Sequence, residues 1–118
     1  METHRLIGSD RVMGTVVYGV DNRRVGTIRR LAIEKASGQV AYAVMSFGGL
    51  FGVGAETHII PWAKLHYASD LGGYRTDITE CELRDAPDFG GKDGAALPDR
   101  DQERALHDYY GVRHYWSV

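Results

Sequence analysis

The sequence predicts a mainly β domain, a small antiparallel barrel followed by a short helix and a C-terminal helix, on three observations. β-Branched and aromatic runs recur through the first seventy-odd residues, separated every eight to twelve positions by turn chemistry. One of those runs, Gln39 to Phe47, is apolar on both alternating faces, as a strand buried on both sides must be. Beyond residue 78 the period changes, and two helix-start signatures follow.

Val12 to Tyr18 reads as the first strand and Val25 to Glu34 as its hairpin return. Between them, Asp21 and Asn22 tolerate left-handed backbone and cap their own turn. Lys35-Ala36-Ser37-Gly38 is a second tight connection, leading into Gln39 to Phe47, the expected core strand. Thr57 to Trp62 resumes extended structure, and Pro61, with no N–H to donate, places it at an edge or a strand end. Leu65 to Ala68 and Gly73 to Thr76 read as further short strands. Five or six short antiparallel strands favour a closed barrel, because closure removes exposed edges.

Thr79-x-x-Glu82 is a capping box, with Ile78 and Leu83 at the staple positions, so a short helix starts there and Pro87 stops it. Asp99 with Gln102 repeats the capping logic, and Gly111 ends a helix over residues 99–110 as a C′ glycine does. A helix of this length is marginal alone. Leu106, Tyr109 and Tyr110, which share one face, must therefore dock on something. The sequence divides into a barrel over residues 5–87, a glycine-rich connection over 88–97, and the helix with its aromatic tail over 98–118.

Composition bounds the function. At 13.1 kDa the folded surface is about 6,400 Å² against roughly 19,000 Å² extended, enough for one core and not two. Fourteen basic against sixteen acidic side chains give a net charge of −2, which is no footprint of a dedicated nucleic-acid binder. The charge is uneven: residues 1–78 carry nine basic and seven acidic groups, residues 79–118 five and nine. The single Cys81 and the polar opening Met1 to Arg5 lead us to expect a cytoplasmic protein. The least polar stretch, Val40 to Ala55, is broken by four glycines and too short to span a bilayer, so no membrane insertion is expected.

Ile7-Gly8-Ser9, Val25-Gly26-Thr27-Ile28, Gly38 to Val44, Ser46 to Gly54 (SFGGLFGVG) and His58-Ile59-Ile60-Pro61-Trp62 occur in an order that resembles the PRC-barrel family. That family is named for the cytoplasmic domain of the photosynthetic reaction-centre H subunit and is shared with the C-terminal domain of a bacterial ribosome-maturation factor. The resemblance covers roughly residues 5 to 85 and closes on Leu83-Arg-Asp-Ala-Pro87. It implies a PRC-type β-barrel used for assembly or docking, in a small bacterial protein. It carries over neither relative's particular function.

The glycine stretch lacks the Lys-[Ser/Thr] and following helix of a phosphate loop, so it is expected to join two strands, with Leu50 and Phe51 at its tip. The five histidines match no ligand spacing, and neither Ser46, Ser69 nor Cys81 has an adjacent base. No catalytic residue, metal or cofactor is therefore expected, and the protein is read as a non-enzyme.

Four of the twelve aromatics lie in the last ten residues. Partner-binding candidates are accordingly Leu50, Phe51, Trp62, Leu106, Tyr109, Tyr110, Tyr115 and Trp116, with an unidentified protein partner and a homodimer expected. The alternative is an RNA, ribonucleoprotein or small-ligand binder using Arg23, Arg24, Arg29 and Arg30. Arg29 and Arg30 should point to opposite faces of a strand, which leaves at most three on one side and makes nucleic acid the lesser reading.

Overall fold

A computed structural model describes residues 5–47, 56–87 and 97–116. The elements are α1 (Ser9–Val12), β1 (Val16–Tyr18), β2 (Arg24–Ile33), β3 (Val40–Phe47), β4 (Glu56–Pro61), a 3₁₀ turn (Trp62–Lys64), β5 (His66–Ala68), β6 (Gly73–Arg75), α2 (Glu80–Asp85) and α3 (Arg100–Tyr110). The strands form one sheet in the order β4-β3-β2-β1-β6-β5.

Two expectations about this sheet are corrected. It is not wholly antiparallel, because β6 lies parallel to β1, with Val17 opposite Tyr74. Nor is it closed, since β4 and β5 are the two ends of the strand order. Both follow from the 3₁₀ turn after Pro61, which steps the chain sideways without reversing it, so that β5 continues in the direction of β4 and β6 returns alongside β1.

The sheet is nevertheless curled. Six strands laid flat would separate β4 from β5 by about 24 Å, whereas the chain from Pro61 to His66 reaches at most about 18 Å. The result is a barrel-like sheet with one incomplete side.

β3 is the core strand: Ala41 to Met45 are all buried, and β2 and β4 flank it with Leu31 opposite Ala43 and Ile60 opposite Ala43 on the other side. Gly26 is required where β2 passes β3, because a Cβ there would collide with the Ser46 carbonyl oxygen. β2 carries an irregularity between Ile28 and Arg30 that takes Arg29 out of the pairing, and such a bulge upsets simple alternation.

The first strand is shorter than expected. Gly8 O accepts from Arg11 N at 2.9 Å and Val12 N at 3.2 Å, turning residues 9–12 into a helical turn, and β1 begins only at Val16. Val12 is buried in the core, and a single buried apolar position reads the same on a strand as on a helical turn.

Both capping boxes are present. Thr79 Oγ1 accepts from Glu82 N at 3.2 Å while Glu82 Oε1 accepts from Thr79 N at 2.9 Å, and Ile78 and Leu83 are buried as a staple. Asp99 and Gln102 repeat the exchange at 2.9 Å each way. Gly111 closes α3 in the left-handed region at φ 68°.

Candidate interaction surface

α3 docks on the chain's own sheet. Leu106 is 1% exposed and Tyr110 6%, so neither offers area to a second chain, and these two lose the partner-binding role expected of them. Tyr109 stands at the margin and its hydroxyl donates to Glu82 O at 2.6 Å, tying α3 to α2.

At the other end of α3, Tyr42 on β3 donates its hydroxyl to Glu103 Oε2 at 2.8 Å. The buried His107 uses Nδ1 against the Glu103 carbonyl oxygen at 2.7 Å, an i−4 contact within the helix. Tyr115 and Trp116 fold over this pair, with ring centroids 5.8 Å and 5.3 Å from His107. The Arg100 guanidinium lies 3.9 Å from the Trp116 ring centroid, a cation–π contact. Burial, then the Glu103 hydrogen bond, pushes the Tyr115 hydroxyl up to about 12. Burial holds the His107 imidazole below its ordinary value, with His114 pushing the same way and the Glu103 carbonyl opposing. The aromatic tail thus forms an intramolecular lid on α3.

The step from β4 to β5 holds a groove of about 910 Å³. Trp62 and Tyr74 form its aromatic wall at 5.4 Å between centroids, and Tyr67 extends it at 5.3 Å from Tyr74. Leu6 and Ile7, on the segment leading into α1, face it from the other side. Leu6 is 92% exposed and Tyr67 50%. Of the sequence candidates, Trp62 alone lies here. Leu50 and Phe51 fall outside the described residues.

Sequence reasoning missed Leu6, Ile7 and Tyr67. The signal was the apolar pair ahead of Gly8-Ser9, but its nearness to β5 depends on the whole sheet's curl. Arg23 pairs with Asp21 at 3.8 Å, and Arg29 sits at the bulge, so the simple alternation that put Arg29 and Arg30 on opposite faces does not apply there. Lys64 holds Asp77 at 2.7 Å and keeps that carboxyl below its usual range. Among the described residues no three His, Cys, Asp or Glu side chains are grouped as metal ligands, and no helix is long and apolar enough to cross a membrane.

A curled six-stranded sheet, open on one side and covered by a C-terminal helix, defines a small barrel-like β domain. Residues 5–82 match the PRC-barrel domain family, and the chain belongs to it. An uncharacterized protein of Deinococcus radiodurans is 23% identical over 77 residues, a match covering 65% of this chain and 27% of that protein. The match therefore spans about a quarter of that relative's length. Among solved structures, one named for the 16S ribosomal RNA processing protein RimM of Pseudomonas aeruginosa aligns with a TM-score of 0.41 and 16% identity. That alignment covers 67% of this chain and 49% of the other.

Proposed function

We propose that this chain is a non-enzymatic, cytoplasmic protein-interaction module that uses the incomplete side of its PRC barrel for assembly. One observation carries the reading: the exposed Leu6, Ile7 and Tyr67 stand together at the β4-to-β5 step, with Trp62 beside them. Single exposed apolar residues need no explanation, but a contiguous group marks a contact surface.

Self-association belongs to this proposal with its interface moved. Leu106 and Tyr110 are spent on the chain's own core, so a homodimer would be held by the groove, not by α3. The test is light scattering together with crosslinking and affinity purification from native cells, comparing the natural chain with Tyr67→Asp. A mass of twice 13.1 kDa, or a recovered protein lost with Tyr67→Asp, supports the reading. A monomer that recovers the same proteins with and without Tyr67→Asp overturns it. RNA binding through Arg23 to Arg30 would instead show as retention that falls steeply with salt.

A further inference from the structure

Eight large apolar side chains are exposed among the described residues, and four of them, Leu6, Ile7, Val20 and Tyr67, surround β5. The first two and Tyr67 line the groove, while Val20 lines a hollow of about 200 Å³ that shares His66 and Tyr67 with it. β5 is the last strand of the order and has a ladder partner on one side only. An edge strand beside apolar recesses is the geometry that accepts an added extended segment, the backbone giving affinity and the recesses selecting alternate side chains.

The charges choose the segment. Arg5 and Arg11 line the groove, no Asp or Glu does, and no carboxylate among the described residues pairs with either guanidinium. In the hollow, by contrast, Asp77 is held by Lys64 at 2.7 Å, and Arg75 faces the Asp70 carboxylate at 4.0 Å while donating to Asn22 Oδ1 at 2.7 Å. Of the arginines lining these two recesses, those with no carboxylate partner among the described residues are therefore Arg5 and Arg11.

We propose that this edge docks an extended segment of a partner protein that alternates apolar side chains with carboxylates. Its backbone would lie along β5, its apolar side chains would enter the groove against Trp62 and Tyr67, and its carboxylates would meet Arg5 and Arg11. The proposal rests on the interaction-module reading and names the partner's chemistry. Trp62, Tyr67 and Tyr74 could stack a base, but a nucleic acid is disfavoured because the chain is net acidic and the most exposed groove side chain, Leu6, is aliphatic.

The test is selection from a phage-displayed library of random dodecapeptides on the immobilised full-length chain. Affinities of the enriched peptides are then measured against the natural chain, the Arg5→Glu/Arg11→Glu double variant and Tyr67→Ser. All three positions are at the surface, and circular dichroism checks that each variant is folded. The expected result is enrichment of net-negative peptides carrying Leu, Phe or Trp, weakened about tenfold or more by the arginine reversal and by Tyr67→Ser. Failure to enrich, or displacement of the peptides by oligouridylate, overturns the proposal. Peptides of neutral or basic character, or peptides indifferent to the arginine reversal, overturn this partner chemistry while leaving the module reading to its own test with Tyr67→Asp.

Discussion

The hydroxyl of Tyr42, on the central strand β3, donates to the Glu103 carboxylate on α3 across 2.8 Å, with both residues buried. Sixty-one positions separate them in sequence. With the longer approach of the same hydroxyl to His107 Nδ1 at 3.4 Å, this contact ties α3 to its own sheet, and Glu103 can rest there because Arg100 Nε stands 3.7 Å away at the rim. A carboxylate in so dry a place needs its donors.

Removing the donor should therefore loosen the helix. Tyr42→Phe keeps the ring and takes away one charge-assisted hydrogen bond, an expected loss of about 1.5 to 3 kcal/mol in urea denaturation. Adding Glu103→Leu to Tyr42→Phe removes the stranded carboxylate as well and should recover part of that loss. If Tyr42→Phe changes stability by less than about 0.5 kcal/mol, the contact does not hold α3 in place.

What the sequence made legible was what short-range chemistry decides. The Thr79/Glu82 and Asp99/Gln102 boxes and the Gly111 terminus involve groups within a few residues of one another. The double-sided apolarity of residues 40–47 states directly that β3 has neighbours on both faces. The parallel β1 and β6 pair was not legible, because it depends on whether the 3₁₀ turn after Pro61 reverses the chain, and a three-residue turn has no period to read. The groove was hidden for the same reason: Leu6 and Tyr67 meet only once the sheet has curled. The destination of Leu106 and Tyr110 was open because an amphipathic face specifies that it must be covered, not by which chain.

His107 makes the same junction sensitive to acid. It is 2% exposed, and burial depresses its pKa in the folded chain. Around it stand Tyr42, Tyr115, Trp116, His114 and, nearby, Asp108 and Glu103. The unfolded chain takes up a proton near pH 6.5 and the folded chain only at lower pH, so the unfolded state binds more protons between those two values. Stability from this residue is therefore complete above about pH 6.5 and falls below it, by at most about 1.4 kcal/mol per pH unit, until the folded-state value is reached. Urea denaturation from about pH 7.5 to about pH 5 should show this decline, and His107→Gln should flatten it. Parallel curves for the natural chain and His107→Gln would assign the decline to other groups.

The Tyr110 hydroxyl has the opposite character from that of Tyr42. The ring is packed in the core and meets Tyr109 edge to face at 5.0 Å, yet the buried oxygen has no hydrogen-bond partner among the described residues. Burial holds its pKa above the ordinary tyrosine value, as expected for a hydroxyl that has given up water without replacement. An unsatisfied buried hydroxyl is a burden of about 1 to 3 kcal/mol. Tyr110→Phe should therefore leave stability unchanged or raise it by up to about 2 kcal/mol, whereas Tyr110→Ala, which removes the ring, should lower it by about 3 to 5 kcal/mol. Thermal and urea unfolding of the two variants separate ring from hydroxyl directly. A Tyr110→Phe chain less stable than the natural one by about 1 kcal/mol or more would mean that the hydroxyl is hydrogen-bonded in solution.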